Sequence, residues 1–242
     1  MRRIWLAMFL AVPPLLLLAA CGDDSSQPRR TTGTAPSGTT TTTAVNGMVA
    51  ALQKLDAPPE LASGLVLGKP DARVTLAVFE DFQCPHCLRF TALIEPALVD
   101  EYVKTGKVRL EFHNLAFLGP ESVQAALAAW CAGEQNRFWP YQEKLFMVQA
   151  EAGQATSEKL DVGRFSDAKL QEYAIGIGLD QAAFDACYSS DAAAEAVRSG
   201  LRQAQTLGLR GTPSFVLDGQ PLAASPASLA EWRKLLNEAL AK

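Results

Sequence analysis

Cys84-Pro85-His86-Cys87 places two thiols three positions apart, and on a helix that spacing stacks them one turn apart on one face. Such thiols can close a disulfide, open it against another thiol, or supply half of a metal site. The flanking residues favour exchange. Val74 to Phe79 is a continuous apolar run with β-branched residues, so it reads as a buried strand. A helix is expected from about Pro85 to Val103, with Phe90, Leu93, Ile94 and Leu98 roughly on one face and a kink at Pro96. Cys84 then stands at the helix start, where unpaired N–H groups and the positive dipole end favour a thiolate. Its pKa is expected below the free value of ~8.5. His86 lies in the same turn and could add positive charge. Cys87, one turn in, can attack a mixed disulfide formed at Cys84.

Two blander readings fit the same residues. Cys84 and Cys87 could be half of a zinc site with His86 or His113, but structural zinc wants four ligands, commonly as two spaced pairs. The pair could also be a purely structural disulfide. His113 alone reads as a surface histidine on the polar face of a second strand, Val108 to His113. No metal and no cofactor are expected.

The elements that must hold this motif follow from periodicity. From about Glu121 to Gln203 the pattern is helical throughout, with Trp130, Phe138, Trp139, Tyr141, Leu145 and Phe146 as core. Ala193, Val197, Leu201 and Ala204 form one helical stripe. Ser214 to Leu217 reads as a strand, Asp218-Gly219 as a hairpin turn, and Gln220 to Ala223 as the return strand. Ser225-Pro226 is expected to open the last helix, which buries Leu229, Trp232, Leu236 and Leu240. Without the helical block, a small α/β sheet remains.

The N-terminus addresses the chain out of the cytoplasm. Arg2 and Arg3 precede an apolar run from Ile4 to Ala20, as in a secretory signal. Leu18-Ala19-Ala20-Cys21 resembles the bacterial lipobox, in which the cysteine is acylated and becomes the first residue after cleavage. An ordinary signal peptide and a retained transmembrane helix compete with that reading; Pro13-Pro14 and the short run argue against the helix. Residues 22 to about 46 are mostly Thr, Ser, Pro, Gly and Asp, which predicts a flexible tether spanning roughly 25–30 Å. Folded sequence is expected from near Met48. The whole chain of 242 residues carries a net charge of −4, which points away from a nucleic-acid partner. Its 48% hydrophobic content is enough for a substantial core.

Three segments together resemble one family. Glu80-Asp81-Phe82-Gln83-Cys84-Pro85-His86-Cys87 looks like the active-site segment of the DsbA-like thioredoxin-fold oxidoreductases. Ala128 to Phe146 is similar to that family's inserted helical domain, and Gly208 to Phe215 to the segment with its cis-proline. The resemblance spans about residues 65 to 242. It implies an α/β thioredoxin fold interrupted by an inserted α-helical domain: residues 47–120 and 201–242 form the thioredoxin part and 121–200 the insertion, behind a signal peptide (1–20) and a tether (21–46). It implies that Pro213 is cis beside the active-site pair and that Thr212 offers its backbone to substrate. One departure matters. Many members carry a buried acid six positions before the first cysteine, and here that position is Val78. Glu80 has the same strand parity and is the candidate substitute.

Cys131 and Cys187 remain. In an exported chain two leftover cysteines suggest a second disulfide. Two buried thiols or a second redox pair are the alternatives. The expected function is an extracytoplasmic thiol:disulfide oxidoreductase, periplasmic or on the cell surface, donating disulfides to exported proteins with free thiols. In it Cys84 exchanges, Cys87 resolves, His86 beside Pro85 tunes the Cys84 thiolate, and Thr212 and Pro213 bind substrate. Its expected partners are those exported chains, a membrane quinone-linked reoxidant of the DsbB or vitamin-K-epoxide-reductase type, and the membrane itself through the lipid on Cys21. An isomerase or reductase is the rival within the class. A non-catalytic lipoprotein that binds unfolded chains or a metal is the rival outside it.

Overall fold

The computed structural model describes residues 39–242, so Cys21 and the expected signal segment lie outside the described residues. Helix α1 (Thr39–Leu52) opens the described chain. Composition assigns residues up to 46 to a flexible tether, yet Thr39 to Asn46 are helical. Threonine is only a weak helix former, and tertiary packing overrides that preference: α1 lies against α2 (Pro85–Leu93) and α5 (Phe138–Glu151), with Leu52 fully buried and Met48 and Val49 packed on the core.

A hairpin of two short strands, β1 (Ala62–Ser63) and β2 (Val66–Leu67), adds an edge to the sheet. Two residues per strand give no alternation to read, so this edge is invisible to periodicity. β3 (Val74–Glu80) runs parallel to β4 (Val108–Asn114), in register from Val74 opposite Val108 to Glu80 opposite Asn114. β5 (Ser214–Leu217) pairs antiparallel with β3 on its other side, and β6 (Gln220–Pro221) closes the order β1-β2-β4-β3-β5-β6. β6 is two residues long, shorter than the expected return strand.

The expected single helix from Pro85 is broken. α2 ends at Leu93, α3 is Glu95–Leu98, and a π-helical turn covers Val99–Val103. Pro96 has no N–H to continue the α2 ladder and sits instead in the first turn of α3. Leu93, expected on the buried face, is 52% exposed. The last helix, α9 (Leu229–Leu240), starts later than expected. Ser228, not Ser225, is its cap: Ser228 Oγ accepts from the Glu231 N–H and Glu231 Oε2 accepts from the Ala227 N–H.

The helical block comprises α4 (Pro120–Glu134), α5, α6 (Asp167–Gly176), α7 (Gln181–Tyr188) and α8 (Asp191–Thr206). It is not helical throughout, because residues 152–166 form turns between α5 and α6. The boundary expected at residue 200 falls inside α8. That helix packs on α4 and covers one sheet face, where Ala204 meets Ala77, Phe79 and Val216. Gly200 permits the approach, since a Cβ there would lie 2.3 Å from the Asn114 carbonyl oxygen. The other sheet face and the helical block share one core. Phe82 stacks with Phe112 at 5.4 Å and meets Phe146 of α5 at 5.3 Å, and Phe112 meets Phe138 at 4.6 Å.

Candidate active site

Asp81 organises the turn between β3 and α2. Its Oδ1 accepts from the Gln83 N–H at 2.8 Å and from Ser122 Oγ at 2.6 Å, and its Oδ2 accepts from the N–H groups of Phe117 and Leu118 at 3.0 Å each. Burial raises the Asp81 pKa above its ordinary value, and these bonds work against that rise. The helical block completes the turn. Gln149 Nε2 donates to the Phe82 carbonyl and Gln154 Nε2 to the Gln83 carbonyl, both at 2.9 Å. Gln83 itself donates to Ser122 and Asp161 and accepts from the Asp161 N–H.

Cys84 caps α2 in an extended conformation, and Pro85 fills the first helical position, where no N–H is needed. Cys84 is 4% exposed and Cys87 fully buried; both are free thiols. A hydrogen bond from Cys87 pulls the Cys84 pKa down most strongly. The backbone N–H groups of Cys87 and His86 pull the same way, against burial and the charge of Asp81. The His86 side chain is exposed, and its backbone N–H acts on Cys84. Cys87 is the opposite. Burial, the bond it gives to Cys84, and the charges of Glu80 and Cys84 push its pKa well up. The two sulfurs are therefore shifted in opposite directions, Cys84 toward the thiolate and Cys87 toward the thiol.

The Thr212–Pro213 peptide bond is cis. It brings the Thr212 carbonyl within 3.3 Å of Cys84 Sγ and the Thr212 hydroxyl within 2.9 Å of Cys87 Sγ. The same hydroxyl accepts from the Asp81 N–H at 3.1 Å and donates to the Phe79 carbonyl at 3.2 Å. Beside this pair opens a largely apolar groove of about 450 Å³, with Phe90, Leu93, Ile94, Pro213, Pro226 and Trp232 in its walls. Leu93, exposed on α2, lines this groove.

The structure thus gathers Cys84, Pro85, His86, Cys87, Thr212 and Pro213 in one place. Cys131 and Cys187 lie apart from them, joined in a disulfide between α4 and α7 with Cα atoms 5.7 Å apart. Val78 is buried, and Glu80 is buried within influence of both active-site sulfurs. His113, expected at the surface, is half-buried because its ring stacks on Phe79 at 4.5 Å. Among the described residues no three His, Cys, Asp or Glu side chains are grouped to hold a metal, and no helix is long and apolar enough to cross a membrane. Sequence reasoning did not single out Glu95, Gln142, Gln149 or Gln154. For Glu95 a signal existed: it continues the buried stripe of Leu88 and Thr91 at helical spacing, and a carboxyl on such a stripe is unusual.

Comparisons with known proteins agree with this geometry. A family model described as thioredoxin matches residues 60–238. A probable disulfide bond formation protein D from Bacillus anthracis is 31% identical over 156 residues, 63% of this chain and 69% of that protein. Disulfide bond formation protein D from Bacillus subtilis is 37% identical over 99 residues, 40% of this chain and 44% of that protein. The crystal structure of oxidised BdbD from Bacillus subtilis superposes with a TM-score of 0.64 at 24% identity, covering 74% of this chain and 94% of that one. With two thiols of opposed character at a strand-to-helix turn and a cis-proline beside them, the chain belongs to the thioredoxin family, among its DsbA-like thiol:disulfide oxidoreductases.

Proposed function

We propose that this protein works outside the cytoplasm as a donor of disulfides to exported proteins, with Cys84–Cys87 as the transferred bond. The observation that carries this is the opposition between the two sulfurs. In the reduced site the hydrogen bond from Cys87 and the N–H groups of the helix start lower the Cys84 pKa, toward the thiolate. The disulfide has no charge for those groups to hold, so whatever favours the thiolate makes the disulfide a stronger oxidant. A substrate thiolate attacks Cys84 Sγ, the S–S bond breaks, and Cys87 leaves with the electron pair. A second substrate thiol then attacks the substrate's own sulfur, forms the new disulfide and releases Cys84 as thiolate.

The groove beside Pro213 suits the apolar side chains of an unfolded or extended chain, with Thr212 and Pro213 framing the peptide against Cys84. The oxidised site is regenerated by a membrane quinone-linked oxidant of the DsbB or vitamin-K-epoxide-reductase type. A lipid on Cys21 holds the protein at the membrane where that partner resides. No cofactor or nucleic acid enters the scheme.

Equilibration against glutathione buffers tests the direction. The potential is expected nearer the ~−120 mV of DsbA than the ~−270 mV of thioredoxin. A value near the latter would make the protein a reductase. Cys84→Ala should abolish turnover, and Cys87→Ala should trap mixed disulfides with substrate. His86→Ala keeps the N–H that acts on Cys84, so its potential should stay close to wild type.

A further inference from the structure

A second groove reaches the Thr212–Pro213 loop from the α8 side. Its volume is about 190 Å³, and it shares no wall residue with the groove beside Trp232. Leu115, Phe117, Leu201 and Leu209 give it apolar walls, while Arg210 and Gly211 form the end nearest Thr212. Leu115 is buried in the core on that sheet face, yet Phe117, two residues on, is 46% exposed. The backbone holds the ring in that position. The Leu115 N–H donates to the Glu80 carbonyl at 2.8 Å, and the N–H groups of Phe117 and Leu118 both donate to Asp81 Oδ2. The opposite wall is tied as firmly: the Leu209 N–H donates to the Ala204 carbonyl at 2.9 Å, and Ser214 Oγ donates to the Gly211 carbonyl at 2.6 Å. Asp81 joins the two walls, since its carboxylate holds Phe117 and its N–H donates to Thr212 Oγ1. The groove is therefore preformed at a fixed offset from Cys84 Sγ, which lies 3.3 Å from the Thr212 carbonyl.

Its charge is one-sided. The chain carries 26 acidic against 22 basic residues, yet no acid lines either groove. Arg210 stands in this groove and Arg89 in the other. Arg109, Arg198, Arg202 and Arg233 each face a carboxylate of this chain. Arg210 is exposed, and its guanidinium has no hydrogen bond or ion pair among the described residues. A half-exposed aromatic ring beside an unpaired cation suits an apolar side chain followed by a carboxylate.

We propose that this groove selects among substrates, taking an apolar side chain two positions from the substrate cysteine while Arg210 pairs with an acidic side chain at the next position. The proposal deepens the disulfide exchange proposed above and rests on it. A substrate that meets the Thr212 backbone beside Cys84 runs extended along residues 210–213. Successive Cα atoms are ~3.8 Å apart in both chains, so the second residue from the cysteine comes level with Arg210 and Gly211. Side chains of an extended segment alternate, so that residue points to the same side as the cysteine, toward the groove. The following residue lies at the solvent rim, within the sweep of the long Arg210 side chain. Charge complementarity at such a rim governs encounter rate and choice of partner more than affinity.

The test is the rate at which peptides open the disulfide of the purified oxidised protein. The probes are blocked peptides with one cysteine, Cys-Gly-Leu-Asp, Cys-Gly-Leu-Lys and Cys-Gly-Gly-Asp, together with the same three in reverse order. Dividing each rate by that of 2-mercaptoethanol with the same variant removes changes in the reactivity of Cys84. Comparing one peptide across variants cancels the pKa of its own thiol. In one of the two orientations wild type should favour Leu-Asp over Leu-Lys by roughly 5-fold at low salt, a gap that closes as salt rises. Arg210→Glu should invert that order and Arg210→Lys should keep it. Phe117→Ala should remove most of the advantage of Leu-Asp over Gly-Asp. Rates indifferent to the flanking residues in both orientations, or an order that survives Arg210→Glu, would overturn the selection. A dimer that Phe117→Ala dissociates in sedimentation, with no peptide preference, would give the groove to a second copy and overturn it too. A disulfide that neither the peptides nor 2-mercaptoethanol open would overturn the proposed function itself.

Discussion

Thr212→Val isolates one atom of the site. Valine keeps the shape and replaces the hydroxyl with a methyl. In the reduced protein that hydroxyl is 2.9 Å from Cys87 Sγ, where it can donate to the sulfur in place of the Phe79 carbonyl. In the disulfide Cys87 has neither a hydrogen to give nor a charge to hold, so the bond belongs to the reduced form. A net hydrogen bond contributes ~0.5–1.5 kcal/mol. With ~1.4 kcal/mol per 30 mV for this two-electron couple, its loss should lower the potential by roughly 10–30 mV. The sign follows from the reduced state being the one weakened: the disulfide becomes the relatively more stable form and a poorer donor. A second effect is common to both redox states. The Asp81 N–H loses its acceptor, at a cost of about 1–3 kcal/mol, which is ~2–4 °C in melting temperature per kcal/mol for a chain of this size. Glutathione equilibration followed by alkylation and mass analysis gives the first quantity, and melting of the oxidised protein gives the second. A Thr212→Val potential equal to or above wild type would refute the reasoning, even if the protein melts early.

Glu95 gives a pH dependence of stability. Its pKa is raised from 4.5 to about 8, so its contribution is fully present below the unfolded value and is lost as pH rises through about 8. At ~1.4 kcal/mol per unit the loss is on the order of 5 kcal/mol, and Glu95→Gln should melt with a visibly flatter pH profile between about pH 5 and pH 9. Replacing Cys131 and Cys187 together by alanine should lower stability by about 4 kcal/mol in denaturant titrations, the entropy of a 56-residue closure, while insulin reduction by Cys84–Cys87 continues. Cys21→Ser should leave the protein unprocessed or move it from the membrane to the soluble fraction; an intact mass with no acyl group on the wild-type protein would defeat the lipid assignment.

The central elements were legible because their signals are local. The apolar run of β3, the alternation of β4 and the Asp218-Gly219 turn each declare themselves within a few residues. The Cys-Pro-His-Cys turn does the same for the reactive sulfurs. What failed to read was decided by distant partners. Thr39 to Asn46 is helical because α5 and α2 lie beside it, not because threonines favour helix. Leu93 fits a buried stripe by spacing, yet it faces a groove made by Pro213 and Pro226, more than a hundred residues away in the chain. Glu80 was visible as a candidate from strand parity, but Glu95, buried near it, comes from beyond a helix break, and Gln142 from another layer.

The Gln149 and Gln154 bonds bear on how far this protein can be taken apart. The carbonyls of Phe82 and Gln83 accept from side-chain amides of the helical block, and Asp81 shares its carboxylate with Ser122 of α4. Cutting that block away would strip the two carbonyls of these donors, at ~1–3 kcal/mol each, and take one of the four hydrogen bonds from the Asp81 carboxylate beside the reactive cysteine. A minimal enzyme trimmed to sheet and flanking helices would therefore need a redesigned turn. Conversely, swapping the whole block for that of a relative should succeed only when the two glutamines and the serine travel with it.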